Sequence, residues 1–226
     1  LTIITGGPGT GKTTIIKAIV ALYKRLNKLS YDELVRDLAL LAPTGRASKR
    51  MCETTLYPAS TIHRFLKWNK ENNTFGICKS NKDKSKLIIV DETSMIDNFL
   101  MSSLLKGIDS KTKICFVGDE YQLPSVNSGN VLRDLIKSGM FPHIRLTEIY
   151  RQSDNSFIPI LANEVKNMEL DYDVQEKKDD YNFLPCDKEN IKDMIGMIIK
   201  KSLEKGIDEK KIQVLIPMYK GLNGID

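Results

Sequence analysis

The sequence predicts an α/β fold, a parallel sheet flanked by helices on both faces. Three observations carry that prediction. Apolar runs of strand length alternate with longer helical stretches. The runs are continuously hydrophobic, as strands buried on both faces are. The first run feeds a glycine-rich loop that opens a helix, the arrangement of a P-loop NTPase.

In chain order, LTIIT (Leu1 to Thr5) is the first strand, and a helix follows from about Lys12 to Leu29. LALLAP (Leu38 to Pro43) is the second, before a helix in TGRASKRMCE. KLIIVDE (Lys86 to Glu92) leads into the helix of MIDNFLMSSLLKGI. KICFVGD (Lys113 to Asp119) comes next, then a helix in NVLRDLIKSG, then IRLTEI (Ile144 to Ile149). Helices are expected near Asn155 to Asn167 and in NIKDMIGMIIKKSLEKG, and a last strand in IQVLIPM (Ile212 to Met218). Two polar stretches interrupt the rhythm. Trp68 to Lys86 is lysine-rich and reads as a surface excursion with a small hairpin around TFGICK. Glu169 to Phe183 is rich in acidic residues and reads as solvated loop.

Composition narrows the function classes. With 226 residues and 41% hydrophobic content the chain can bury a substantial core. No apolar run approaches the roughly 20 residues that span a bilayer, so no membrane association is expected. The four cysteines, Cys52, Cys78, Cys115 and Cys186, form no C-x-x-C pair, and neither histidine sits near them at zinc spacing. Free thiols in a reducing cytoplasm are the expectation. The net charge of +5 leans toward an anionic partner.

GGPGTGKT, Gly6 to Thr13, fits the phosphate-loop pattern G-x-x-x-x-G-K-[ST]. Its glycines let backbone N–H groups turn inward around a phosphate, and the helix N-terminus adds positive potential. The nucleotide-binding candidates are Gly6, Gly7, Pro8, Gly9, Thr10, Gly11, Lys12, Thr13 and Thr14. Lys12 would reach the β- and γ-phosphates of ATP, and Thr13 would ligate Mg²⁺. Asp91, at the end of LIIV, is the expected carboxylate for the metal, and Glu92 the group that polarises the attacking water. Gln122, in GDEYQLP, is a neutral amide that can donate to a γ-phosphate oxygen but cannot act as a base. Its bonding changes when that phosphate leaves, which suits a sensor. Elsewhere Thr44, Arg46, Lys49 and Arg50 combine hydroxyls and cations able to bind nucleic-acid phosphates. Phe65 and Trp68, at i and i+3, could offer a stacking surface beside Arg64 and Lys67.

Seven segments then occur in a familiar order: GGPGTGKTT, APTGRASKR, ASTIHRFL, LIIVDETSMID, GDEYQLPSVNSGNVLRDLI, RLTEIYRQ and QVLIPMYKG. In them the chain resembles the RecD-like DNA helicases of superfamily 1, which include the alpha subunit of exonuclease V and TraA-type relaxase-helicases. The resemblance implies a first RecA-like motor domain over residues 1–211, carrying motifs I, Ia, Ib, II, III and IV, with the excursion near 68–86. Residues 212–226 would begin a second, truncated RecA-like domain. Arg151 would be the motif IV arginine that reaches the γ-phosphate. Pro43, Thr44 and Arg46, with Thr61, His63 and Arg64, would contact single-stranded DNA.

The implied activity is ATP-dependent 5′–3′ translocation and duplex unwinding in DNA repair and recombination, by a cytoplasmic monomer with repair-protein subunits as further partners. Motifs V and VI, with the arginine finger, lie outside the sequence, so the chain alone is expected to bind Mg-ATP weakly and to hydrolyse it very slowly. Two alternatives stand beside this reading. One is a phosphate-loop protein using nucleotide as a switch, although the guanine-reading N-K-x-D segment is absent. The other is an RNA-directed helicase of the same superfamily.

Overall fold

The computed structural model describes residues 1–148, 156–170, 172–217, 220–221 and 224. The chain divides into two compact units, Leu1–Asp154 and Asn155–Asp226. That division falls well before residue 211, the motor-domain boundary read from the resemblance.

The first unit is built on a parallel sheet of six strands. In chain order its elements are β1 (Thr2–Gly6), α1 (Lys12–Leu26), α2 (Tyr31–Asp37), β2 (Leu38–Ala42), α3 (Gly45–Thr55), β3 (Ala59–Thr61), α4 (Ile62–Phe65), β4 (Trp68–Asn69), β5 (Thr74–Phe75), β6 (Leu87–Val90), α5 (Asn98–Gly107), β7 (Lys113–Gly118), α6 (Val131–Lys137) and β8 (His143–Leu146). The spatial order is β3-β2-β6-β7-β1-β8, and every neighbouring pair is parallel. β1 lies between β7 and β8, so the chain leaving β1 crosses past β7 and β6 to reach β2.

The continuous apolar runs divide by parity between two cores, because successive side chains leave a strand on opposite faces. Leu38 and Leu40 of β2, Leu87 and Ile89 of β6, and Cys115 and Val117 of β7 join Ile16 and Val20 of α1 and Met51 of α3. Leu41, Ile88, Val90 and Phe116 face the other way and pack with Leu100, Met101 and Leu104 of α5. Helices therefore cover both faces.

The hairpin expected around TFGICK is present as β4–β5, with Trp68 opposite Phe75 and the turn before Thr74, so TFGICK supplies its second arm. Elements not assigned in the sequence include α2 and β3. Ser30 and Glu33 form a reciprocal capping box at the start of α2. β3 pairs with β2 through Leu40↔Ala59 and Ala42↔Thr61.

In the second unit α7 runs Ile158–Asn167 and α8 Ile191–Glu204. Asp180 accepts from Ser156 Oγ at 2.5 Å and from the Phe157 N–H at 3.1 Å, and the Tyr181 ring lies 5.2 Å from that of Phe157. The strand expected in IQVLIPM is not formed over residues 212–217. A strand needs a ladder partner, and among the described residues none pairs with the segment, in which Leu215 is 84% exposed. Among the described residues no helix is long and apolar enough to cross a membrane.

Candidate nucleotide site and its flanking edge

β1, β6 and β7 all end at the same edge of the sheet, the carboxyl edge at which ligands bind open α/β folds. Just past it lies a cavity of about 410 Å³. The loop after β1 lines it with Pro8, Gly9, Gly11, Lys12, Thr13 and Thr14. The end of β6 contributes Asp91 and Glu92, the loop after β7 contributes Gln122, and α3 adds Ala47, Arg50, Met51 and Thr54.

Local chemistry explains the loop's shape. Gly9 and Gly11 sit at φ 80° and 84°, in the left-handed region that a side chain disfavours. A Cβ on Gly6 would overlap Thr10 Oγ1. That hydroxyl donates to the Gly7 carbonyl at 2.9 Å and closes the turn. Lys12 Nζ donates to the carbonyls of Gly6 (2.7 Å) and Gly7 (3.0 Å), which folds the ammonium back over the loop. α1 begins on Gly11 with no side-chain cap, whereas α2, α3, α4 and α5 are capped by Ser30, Thr44, Thr61 and Asp97. Among the described residues no side chain caps the first N–H groups of α1, the condition under which a helix N-terminus takes an anion.

The acids are held under tension. Asp91 is buried and accepts from the Glu92 N–H at 2.9 Å. Burial lifts its carboxyl above the usual range, while that hydrogen bond, Lys12 and Arg50 pull it down. Glu92 is lifted first by burial and then by the Asp91 charge, again against Lys12 and Arg50. Its backbone is left-handed at φ 52°, and its Oε2 is buried without a hydrogen-bond partner. Strain and an unmatched buried oxygen on one residue mark a functional position. The open helix terminus, the cation and an oxygen awaiting a partner suit a hydrated metal–triphosphate such as Mg-ATP. Thr13 and Asp91 are the side chains suited to hold Mg²⁺. Among the described residues no group of three or more His, Cys, Asp or Glu could bind a metal by itself, so phosphate oxygens and water would complete the shell.

Beside this cavity, β2 and β3 end together. Their pairing sets Pro43 and Thr44 next to Thr61, with Arg46, His63 and Arg64 exposed nearby along the chain. Thr44 and Thr61 also cap their helices, accepting from the N–H groups of Ala47 and Arg64. Phe65 packs against a core cluster rather than offering a stacking face. Trp68 instead joins an aromatic group that the sequence reading did not assemble. Its ring lies 4.6 Å from Phe75 and 6.1 Å from His63, and Phe75 lies 6.0 Å from Phe99. Pairing across a two-residue hairpin brings Phe75 there, a contact invisible to helical spacing. Arg50, grouped with the nucleic-acid cations in the sequence, lines the nucleotide cavity instead, because α3 turns that face toward α1. Arg151 lies outside the described residues.

A family model described as an AAA domain matches residues 1–128. The ATP-dependent RecD2 DNA helicase of Deinococcus radiodurans is 32% identical over 228 residues, covering 100% of this chain and 29% of that protein. The RecBCD enzyme subunit RecD of Buchnera aphidicola is 38% identical over 149 residues, covering 58% of this chain and 24% of that protein. The chain thus spans under a third of the length of these curated relatives. The structure of Pif1 helicase from Candida albicans aligns with a TM-score of 0.56 at 22% identity, covering 95% of this chain and 52% of that one. Bacteroides sp Pif1 in complex with ADP-AlF4 aligns at 0.52 and 21% identity, covering 79% of this chain and 46% of that one. At such identities the likeness shows the fold, which is RecA-like. With more than half of its residues matched by the family model, the chain belongs to the AAA domain family.

Proposed function

We propose that the chain contains the first RecA-like motor domain of an ATP-dependent DNA helicase that moves 5′ to 3′ on single-stranded DNA. The proposed domain covers residues 1–211, and 212–226 enter a second. The observation that carries this reading is one cavity lined by Lys12 and Thr13, by Asp91 and Glu92, and by Gln122. A plain nucleotide switch needs the first two groups. The third gives the terminal phosphate a reporter on a separate loop, and the β2–β3 edge nearby carries the hydroxyls and cations that a nucleic-acid backbone calls for. The Deinococcus radiodurans relative, named an ATP-dependent DNA helicase, supports the substrate assignment. RecD, named a subunit of the RecBCD enzyme, supports a place beside other subunits, which we read as DNA repair or recombination.

The roles follow from the side chains. Lys12 offsets charge on the β- and γ-phosphates. Mg²⁺, held by Thr13 and Asp91, would neutralise the phosphates further. Glu92 accepts a proton as water adds to the γ-phosphorus and the bond to ADP breaks. Gln122 donates to a γ-phosphate oxygen and loses that bond on hydrolysis, so its loop can pass the change to the strand-binding edge. In the motif IV position, Arg151 would add a cation.

The test is nucleotide-dependent DNA affinity. Labelled single-stranded DNA should bind with different affinities in the presence of a non-hydrolysable triphosphate and of ADP, at fixed salt. Gln122→Ala should bring the ratio of the two toward one while each nucleotide still binds. Equal DNA affinity in both states for the unaltered chain would reduce the reading to a nucleotide-binding module, and stronger competition by RNA would reassign the substrate.

A further inference from the structure

Four residues of α3 line the phosphate cavity: Ala47, Arg50, Met51 and Thr54. Their spacing, i, i+3, i+4 and i+7, is that of one helix face. Met51 is buried in the core cluster against which Ala47 packs, and α3 contacts α1, so this face is fixed toward the phosphate loop. Arg50 rises from it. Among the described residues its side chain makes no ion pair, whereas Lys49, one residue earlier, reaches Glu53 at 4.0 Å on the outside of the helix.

Charge counting shows what Arg50 does for the cavity. The ionisable side chains in its wall are Lys12 and Arg50 against Asp91 and Glu92, two cations and two carboxylates. Lys12 is folded onto the carbonyls of Gly6 and Gly7. Without Arg50 the side chains facing an incoming polyanion would carry a net negative charge. Asp91 and Glu92 each feel Arg50 as well as Lys12. Arg50 thus lines the same cavity as the two acids, beside which the metal and the attacking water belong. A guanidinium with unspent donors, planar and always charged, matches phosphate oxygens in a way an ammonium does not.

We propose that Arg50 binds the terminal phosphate of the nucleoside triphosphate, as a cation supplied from α3 of the same domain, and not the phosphates of a nucleic acid. This rests on the nucleotide reading above. It makes α3 a two-sided element: Thr44 and Arg46 at its start belong to the strand-binding edge, and Arg50, one turn on, to the nucleotide. Loss of the terminal phosphate would then be felt by the helix that begins at that edge.

The experiment is equilibrium binding of fluorescent ADP and of a fluorescent non-hydrolysable ATP analogue, with Mg²⁺ and without DNA, to the chain and to Arg50→Ala, Arg50→Lys and Lys12→Ala. Arg50→Ala should weaken the triphosphate about tenfold or more, the scale of one charge-assisted hydrogen bond, and ADP less than about threefold. Arg50→Lys should fall between, because it keeps the charge and loses the fork. Affinity for single-stranded DNA without nucleotide should be unchanged. Equal weakening of both nucleotides, no weakening, or loss of DNA affinity alone would overturn the proposal while leaving the nucleotide site intact. If the unaltered chain binds neither nucleotide, or Lys12→Ala binds both as well as it does, the nucleotide reading falls and this one with it. Arg50 is exposed, so the variants keep the fold, and Arg50→Lys is a second check on that.

Discussion

Glu92 joins a left-handed backbone, a buried carboxylate oxygen without a partner and an adjacent acid in one residue. Each of these destabilises the chain before any ligand arrives. Glu92→Gln should therefore separate stability from turnover. Removing the charge beside Asp91 should leave the ligand-free chain as stable or more so, by about 1 kcal/mol in denaturant unfolding. ATP hydrolysis by the protein that carries the domain should fall by about 10² to 10⁴, the usual share of a general base, with nucleotide affinity largely kept. A drop in stability with unchanged turnover would mean that the carboxylate is structural. The adjacency of Asp91 and Glu92 was legible in LIIVDE; the left-handed turn that strains Glu92 while both acids line the cavity was not, because Glu is a residue that seldom adopts it.

At the element scale, α2 shows what the sequence hides. Its seven residues, YDELVRD, are too few for a helical period to register, and they run into LALLA without a break. The structure instead secures it at both ends. The capping box of Ser30 and Glu33 starts it, and Asp37 ends it with its side chain bonded to Lys86 Nζ at 2.7 Å and to Arg36 Nε at 3.2 Å. Lys86 also donates its backbone N–H to the Asp37 carbonyl, which ties the end of α2 to the start of β6. The Lys86 hydrogen bond is the main force holding the Asp37 carboxyl below the usual range. A depressed folded-state value means stability present above the unfolded value, about 3.9, and lost as pH falls through the lower one. Lys86→Met should accordingly cost about 1 kcal/mol at pH 7, a modest figure because the lysine is 64% exposed and screened. The deficit should shrink below about pH 4 and vanish once Asp37 is protonated in both states. A deficit that persists at low pH in urea titrations would assign it to packing of the lysine stem. Long-range bonds of this kind, like β2–β3 pairing, join residues that no local pattern links. The long strands and helices were legible because burial on two faces writes itself into composition, and residues 212–217 form no strand because hydrophobicity without a ladder partner among the described residues does not make one.

Across the molecule, the buried apolar residues among those described end at Leu132, and both core clusters belong to the unit Leu1–Asp154. The strands β1, β6 and β7, the phosphate loop, the acids and Gln122 belong to it too. What folds the first unit is thus also what builds its cavity, and neither draws on a described buried residue beyond position 132. A chain of residues 1–154 should therefore unfold cooperatively and keep the nucleotide site. Ligand linkage provides the measurement: a ligand bound only by the folded state adds about 2.7 kcal/mol at a hundred times its dissociation constant. Calorimetry with Mg²⁺ and the non-hydrolysable triphosphate should show that gain in 1–154 as in the full chain, and Lys12→Ala should lose it in both. If 1–154 unfolds without cooperativity, the second unit supplies stability that the core distribution does not reveal. If it folds but gains nothing from nucleotide while the full chain does, then residues after Asp154 take part in holding the phosphates, and the site is not the property of one sheet edge.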